Sequence, residues 1–377
     1  MRESIRRRMA FTGVIALVLL HLSASASQSS QESTRPGGGL TCVGVWPNKV
    51  VLLDETDHKV VSVIELQTGV PEWLSGSFDR RRLTVITNQK NVEVIDLEAR
   101  KVLGHVALTD NSRRPGVLSC AISPRGRYLY AILRSAVKGV DRFTLEKAKF
   151  YVVDLDRLKV TKVLDFPKGF DGGFGFEDAD YKVSADEKYL YVLKDDLVVL
   201  DLETLKEVDR IELSKPLHPG MFPVSIAGAG DPSEEPGFMT TVFSSTDPIA
   251  HRTVAGIVMI NVVSRKVDLY PLGPSFPIRG RLYIGPDRKT VYAVLVNNAQ
   301  DPNRRPEFCV FDLETRRLLR RAEFENRSRF TFVLSGDARH IYNYGPGSNI
   351  DIYNSETLTL EKTINLEGDI TELIVFR

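Results

Sequence analysis

The pattern of apolar and polar residues along the chain is that of short strands joined by tight turns. Residues 186–213, DEKYLYVLKDDLVVLDLETLKEVDRIEL, hold three apolar runs that are separated by brief polar interruptions. Short runs rich in β-branched and aromatic residues, bounded by turn-forming residues, indicate β-strands. No stretch of the chain shows convincing helical periodicity. The segment therefore predicts three consecutive strands joined as hairpins.

The same unit recurs along the chain. An apolar run that ends in Asp or Asn, followed by a turn and another strand, occurs seven times at intervals of 42 to 60 residues. These runs end at Asp54, Asp96, Asp154, Asp201, Asn261, Asp312 and Asn354. Further strands precede each run, which makes four strands, A to D, per unit. Such a repeat predicts an all-β fold, a seven-bladed β-propeller of four-stranded antiparallel blades. The seven Asp and Asn side chains are interpreted as structural, bonding to the backbone of the following turn.

The turns between strands A and B carry a recognisable sequence. SPRGRYLYAI, SADEKYLYVL and GPDRKTVYAV are degenerate versions of one signature, and VIDLEARKV and VFDLETRRL match the strands that follow it. Over residues 40–377 the chain resembles the YVTN-type seven-bladed propellers. It is similar to the nitrous-oxide-reductase N-terminal, methylamine-dehydrogenase heavy-chain and lactonase propellers. The resemblance implies a fold but no particular activity, because propellers host many unrelated functions.

The first blade lacks an inner strand in the sequence before it. Strands are predicted at 40–46, 49–55 and 58–66, with nothing suitable upstream. The chain ends in DITELIVFR after the last D strand. We therefore expect this tail to supply the missing strand A of blade 1 and to close the ring.

The N-terminal residues have the three parts of a secretory signal. Arg2, Arg6, Arg7 and Arg8 precede the uncharged run AFTGVIALVLLHL, and Ala24-Ser25-Ala26 offers a cleavage site. The apolar run is short for a membrane span, which needs about 20 residues. We expect 1–26 to be a signal peptide, 27–39 a flexible leader and 40–377 the propeller. The exported protein would be periplasmic or extracellular, with no membrane span after signal removal.

Composition excludes several classes of function. No basic run lies outside the N-terminal segment, so nucleic acid is not an expected partner. The three cysteines, Cys42, Cys120 and Cys309, lie in strand-like runs and are expected to be buried thiols. The acidic loop 171–180 fits neither an EF-hand nor an RTX spacing, and neither a metal nor another cofactor is predicted. We expect a monomer.

Function is expected where the B–C and D–A connections meet, because the long loops of the chain lie there. These loops are 136–147, 246–254 and 297–307 between strands B and C, and 109–116, 167–178, 214–221 and 273–281 between blades. The recurrence of arginine favours a small anionic ligand or an acidic protein surface. The candidate ligand-binding residues are Arg113, Arg114, Lys168, Asp178, His218, His251, Arg279 and Arg304. Arg114 and Arg279 are preferred because each immediately precedes a strand that lines the channel.

Two kinds of function stay open at this point. A ligand- or protein-binding scaffold is favoured because no catalytic residue set can be identified. The alternative is a lactonase-like hydrolase, or the propeller subunit of a periplasmic dehydrogenase complex. The hydrolase requires histidines and carboxylates that converge at the channel mouth.

Overall fold

The chain forms antiparallel sheets arranged as the blades of a β-propeller. A computed structural model describes residues 39–110, 112–165, 179–227, 230–274, 281–296, 306–323 and 331–376. No helix in these ranges is long and apolar enough to cross a membrane. The predicted signal peptide and nearly all of the predicted leader lie outside the described residues.

Each blade is a meander in which consecutive strands pair from the inside outward. Blade 1 contains β1 (Leu40–Val45), β2 (Lys49–Asp54) and β3 (Val60–Glu65), and blade 2 contains β4 (Pro71–Gly76), β5 (Arg82–Thr87), β6 (Asn91–Asp96) and β7 (Lys101–Ala107). Blade 3 contains β8 (Arg113–Ile122), β9 (Tyr128–Lys138), β10 (Phe143–Leu145), β11 (Lys149–Asp154) and β12 (Lys159–Asp165). Blade 4 contains β13 (Asp180–Val183), β14 (Tyr189–Leu193), β15 (Leu197–Asp201) and β16 (Glu207–Ile211).

The remaining blades follow the same order. Blade 5 contains β17 (Ser225–Ala227), β18 (Phe238–Asp247), β19 (Arg252–Asn261) and β20 (Lys266–Pro274). Blade 6 contains β21 (Tyr283–Ile284), β22 (Thr290–Val296), β23 (Pro306–Asp312) and β24 (Arg317–Glu323). Blade 7 contains β25 (Thr331–Leu334), β26 (His340–Tyr344), β27 (Asn349–Asn354) and β28 (Leu360–Asn365), and the last strand is β29 (Ile370–Val375).

The predicted ring closure is confirmed. β29 pairs antiparallel with β1, and the strand order of blade 1 is β29-β1-β2-β3. Trp46 N also donates a hydrogen bond to Asp369 O at 2.9 Å. The end of the chain is therefore the innermost strand of the first blade.

The seven predicted turn residues end strand C in every blade. Asp201 is representative, because its Oδ1 accepts hydrogen bonds from the N–H of Thr204 at 2.8 Å and from its hydroxyl at 2.7 Å. The fourth residue after each Asp or Asn has a positive φ, for example Leu205 at 54°. A positive φ is unfavourable for residues other than glycine, and the hydrogen bonds accepted by the Asp or Asn side chain help to stabilise the turn that contains it.

The core lies between neighbouring blades, because a single sheet cannot bury both its faces. One apolar cluster joins blades 1 and 2, and others join blades 2 and 3, 3 and 4, 4 and 5, and 5 and 6. A larger cluster joins blades 6, 7 and 1. Buried contacts therefore run around the whole ring. Cys42 and Cys309 are fully buried in it, as predicted, whereas Cys120 is only partly buried, and all three thiols are free.

Candidate functional site

Neighbouring blades of the propeller project to different heights at one of its two ends. The A–B and C–D turns lie at one end, which we call the A–B face, and the B–C and D–A connections lie at the other, the D–A face. On the D–A face, β8 and β9 of blade 3 have 10 and 11 residues, whereas β13 and β14 of blade 4 have 4 and 5. Blade 3 therefore projects beyond blade 4.

Part of the sequence interpretation of this face is wrong. The segment 136–147 was expected to be an irregular loop, but it holds the end of β9 and the short strand β10, which pair with each other. The segment 246–254 is likewise the tip of the β18–β19 hairpin, closed by a turn at 248–251. In blades 3 and 5 the length is therefore built from extended strands whose hydrogen bonds are made, which gives rigid walls. Nearly all of the predicted loops 167–178, 273–281 and 297–307 lies outside the described residues.

Strand alternation shows which way the blade 3 wall faces. In β9, Ile132 packs in the cluster shared with blade 4, and Leu133 packs in the cluster shared with blade 2. Successive side chains of a strand point to opposite faces. Ala136 therefore lies on the blade 4 side, together with its cross-strand partners Arg114 and Leu145.

Apolar side chains are exposed on this wall. Phe143 is 63% and Leu145 71% exposed, and both lie on the face that looks over blade 4. Lys138, which pairs with Phe143, is also exposed and on the same side. The wall of blade 3 therefore presents both apolar and basic side chains that are exposed.

Blade 5 forms the opposite wall. Ile249, at the tip of its hairpin, is 87% exposed, and Asp247 Oδ1 holds the turn by accepting the Ile249 N–H at 2.8 Å. The connection from blade 4 runs beside the hairpin, where Phe222 N donates to Thr246 O at 2.8 Å. Phe222 is 56% exposed. Apolar groups thus stand on both sides of blade 4.

In the described part of the chain, which omits the connection 166–178 into blade 4, this blade is low between the two walls. Its B–C turn contains only residues 194–196. Asp196 Oδ1 accepts the N–H groups of Leu213 and Ser214 at 2.8 and 3.1 Å, which fixes the turn. We call the depression over this turn, between the two walls, the blade 4 cleft.

Four of the predicted site residues are described. Arg114 is exposed on the cleft side of blade 3, and His218 and His251 are exposed in the connection and the hairpin turn of blade 5. Arg113 points the other way, toward blade 2, with Nε 3.5 Å from a Glu146 carboxylate oxygen. The remaining candidates, Lys168, Asp178, Arg279 and Arg304, lie outside the described residues.

A second site lies in the centre of the ring. The inner strands enclose a cavity of about 840 Å³ in the channel. Its wall is largely apolar, with residues such as Trp73, Leu118, Ile122, Val333 and Ile374. Binding pockets for small molecules typically measure about 300–1,000 Å³ and combine apolar walls with a few polar groups.

Two charged side chains from different blades meet in this channel. Arg281, beside β21, is 28% exposed, and its Nη2 lies 3.5 Å from Glu372 Oε1 of β29. Glu372 Oε2 accepts the N–H of Leu74 at 2.7 Å. Burial raises the pKa of Glu372, and the charge of Arg281 opposes that shift. The sequence analysis missed this pair, although Arg281 is only two residues from the predicted Arg279.

Cys120 also lines the cavity, from blade 3. Burial raises the pKa of its thiol to about 12. The thiol is therefore neutral at physiological pH and behaves as a weakly polar wall group.

A long A–B connection in blade 5 reaches the cavity from the other end. These turns were expected to be short, but the connection between β17 and β18 spans 228–237, so that expectation is wrong for blade 5. Lys182 Nζ donates to Phe238 O at 2.6 Å and to Glu234 O at 3.2 Å, and lies 3.7 Å from Glu234 Oε2. Asp231 Oδ2 accepts the N–H of Ile284 in blade 6 at 3.0 Å. In the sequence, this connection could have been found from the large number of residues between the two predicted strands.

The acidic loop 171–180 is described only at its end. Asp180 Oδ2 accepts the N–H of Gly230 at 2.8 Å, and burial raises the pKa of this carboxyl. Within the described ranges, no group of three or more metal-ligating side chains is placed to hold an ion.

These strands, clusters and the central cavity define a closed seven-bladed β-propeller. No protein-family model and no curated protein matches the chain. The structure is similar to that of "Dihydro-heme d1 dehydrogenase NirN in complex with DHE", with a TM-score of 0.52, 14% identity, and coverage of 90% of this chain and 75% of the other. It is also similar to apo AztD from Citrobacter koseri, with a TM-score of 0.51, 14% identity, and coverage of 90% and 98%. Such low identity shows the fold alone, so the YVTN family stays a resemblance.

Proposed function

We propose that this protein is an exported binding propeller whose partner docks in the blade 4 cleft of the D–A face. The observation that carries the proposal is the pair of projecting walls with exposed apolar side chains, Phe143 and Leu145 on one and Phe222 and Ile249 on the other. Isolated exposed apolar residues are ordinary, but a group of them around one depression is typical of interaction surfaces.

The charge of the cleft favours an acidic partner. Arg114 and Lys138 lie on the same face of the blade 3 wall as Leu145 and Phe143. The exposed His218 and Arg252 stand on the blade 5 side. Basic groups beside apolar ones suit a partner surface with carboxylates around an apolar centre, because charge complementarity adds specificity.

Export is part of the proposal and rests on the N-terminal sequence. The series of arginines, apolar run and Ala24-Ser25-Ala26 is that of a cleavable signal. The partner would then be a periplasmic or extracellular protein. A lactonase-like hydrolase or a dehydrogenase subunit remains the alternative, and His218 and His251, its candidate bases, lie exposed on the rim.

The test compares surface variants of the two faces. Wild type, a Phe143→Ser/Leu145→Ser double variant, Arg114→Ala and the control Val263→Ser are used to isolate cross-linked partners from the exported fraction. Val263 is 79% exposed in a C–D turn on the A–B face. The affinity of each variant for the captured partner is then measured with purified proteins.

We expect the double variant to weaken binding at least tenfold, because one apolar side chain buried at an interface contributes about 1.5–3 kcal/mol and about 1.4 kcal/mol is tenfold. Arg114→Ala should weaken binding less, in a salt-dependent manner. Val263→Ser should bind as wild type does. Binding that is lost in Val263→Ser but kept in the double variant would put the partner on the other face.

A further inference from the structure

The central cavity carries a binding group that the blade 4 cleft does not use. The Arg281 guanidinium has five N–H donors in a planar fork, and Glu372 approaches only Nη2, at 3.5 Å. Charge-assisted bonds of a closed Arg–carboxylate fork are about 2.7–2.9 Å long. Glu372 commits its second oxygen to the Leu74 N–H at 2.7 Å, so it does not fill the fork.

The charged groups of the blade 5 connection and of Lys182 beside it are engaged in structure. Lys182 is held by the carbonyls of Phe238 and Glu234. Glu234 Oε1 accepts the Thr240 hydroxyl at 2.6 Å, and Asp231 accepts N–H groups of Ser233 and Ile284. These groups fasten the blade 5 connection to blades 4 and 6. Arg281 differs, because part of its guanidinium faces open cavity.

The surroundings of Arg281 limit what could bind there. Besides its ion pair with Glu372, Arg281 shares a side-chain hydrogen bond with Tyr283, and Tyr344 also acts on its charge. Beyond them, apolar side chains from Trp73 in blade 2 to Met239 in blade 5 form the larger part of the described wall, with hydroxyl groups such as those of Ser75 and Ser119 between them. A ligand must therefore place an anionic group at the guanidinium and an apolar body in the remaining volume of about 840 Å³.

We propose that the channel binds a small amphipathic carboxylate, with its carboxylate on Arg281 and its apolar body against the inner strands. A carboxylate matches the planar fork with two parallel hydrogen bonds, and the contacts with Glu372 and Tyr283 leave other N–H donors of the five for it. The apolar walls contribute affinity in proportion to the area that they bury. The site is distinct from the blade 4 cleft and does not depend on it.

The sequence supplies a reporter for the experiment. The chain has two tryptophans, Trp46, exposed on the D–A face, and Trp73, which lines the cavity. Trp46→Phe leaves Trp73 as the sole indole fluorophore. Its emission is followed while the purified protein is titrated with benzoate, 4-phenylbutanoate and decanoate, and with the matched neutral probe 4-phenylbutan-1-ol. Calorimetry provides a second readout.

We expect saturable binding of at least one carboxylate, and at least tenfold weaker binding of 4-phenylbutan-1-ol than of 4-phenylbutanoate. Arg281→Met should weaken the carboxylate at least tenfold and leave the alcohol unchanged. Glu372→Gln should tighten the carboxylate, because it removes a competing charge and keeps an acceptor for the Leu74 N–H. The control Arg339→Met, whose side chain is 81% exposed on the A–B face, should bind as the parent does.

Thermal melting of each variant is recorded first. If Arg281→Met is unfolded, Arg281→Lys is used to test the proposal. This variant keeps the positive charge but loses the planar fork, so its affinity for the carboxylate should still fall. The proposal is overturned if none of the three carboxylates binds saturably, if alcohol and carboxylate bind equally, or if the folded Arg281 variant binds as the parent does.

Discussion

At the scale of single residues, two imidazole rings meet where blade 7 joins blade 1. The ring centroids of His58 and His340 are 4.7 Å apart in an edge-to-face arrangement. His58 Nδ1 lies 3.3 Å from the Tyr342 hydroxyl, and His340 Nε2 lies 3.3 Å from a Glu361 carboxylate oxygen. Lys362 packs beside them, with Nζ donating to the His58 carbonyl at 3.2 Å. One side of the ring closure therefore contains two imidazole rings in contact, beside a carboxylate and an ammonium group.

This arrangement predicts a loss of stability in mild acid. The pKa of His58 is lowered from 6.5, first by burial, then by the charge of His340 and of Lys362, while Glu361 and Asp57 oppose the shift. Because the unfolded chain binds the proton more readily, the contribution of His58 is present above about pH 6.5 and is lost as pH falls through the lower folded pKa.

We expect His58→Gln to reduce the fall in unfolding free energy between pH 7.5 and pH 5, measured by urea denaturation. The control His105→Gln replaces an exposed histidine of β7 and should keep the fall of the wild type. Equal acid sensitivity of wild type and His58→Gln would show that the imidazole pair does not matter for stability.

At the scale of elements, β29 decides whether the ring closes. Ile370, Leu373, Ile374, Val375 and Phe376 are all buried, at 1 to 8% exposure. Five buried apolar side chains contribute about 7–15 kcal/mol as an upper estimate. This is comparable to the roughly 5–15 kcal/mol by which a whole domain is stable. The strand β29 and the following Phe376 thus contribute a large part of the stabilising free energy.

We predict that deletion of residues 370–377 abolishes cooperative folding, measured by thermal melting and near-UV circular dichroism. Leu373→Ala should lower the unfolding free energy by about 2–5 kcal/mol, because it leaves a cavity in the apolar cluster that joins blades 6, 7 and 1. The matched control Thr371→Ala, at an exposed position of β29, should change it by less than about 0.5 kcal/mol. A truncated protein with a native melting curve would contradict the role of β29.

At the scale of the whole molecule, the cellular compartment of the protein can be tested directly. We expect the protein isolated from its native compartment to begin at Ser27, because Ala24-Ser25-Ala26 has the small residues that signal cleavage requires. Intact mass spectrometry measures this, and an Ala24→Asp/Ala26→Asp variant, which should retain residues 1–26, is the control. A soluble cytoplasmic form with residues 1–26 attached would refute export.

The sequence by itself determined the architecture, because every blade repeats a local code. Short apolar runs ending in Asp54 or Asp201, with turns such as SADE, depend on neighbours in the chain, so they could be recognised without a structure. Because blade 1 has no inner strand upstream in the sequence, the C-terminal tail could likewise be predicted to supply that strand. The length of the B–C segments 136–147 and 246–254 also indicated where the walls lie, although not that they are strands.

Only the tertiary structure decided which side chains share a site. Arg281 and Glu372 come from blades 6 and 1, and Leu74, which orients the glutamate, comes from blade 2. No local pattern relates such residues, because their contact exists only once β29 has closed the ring. The directions in which Arg113 and Arg114 point were also determined by the tertiary structure. Adjacent residues of one strand point to opposite neighbouring blades, and only the closed ring defines which blades those are.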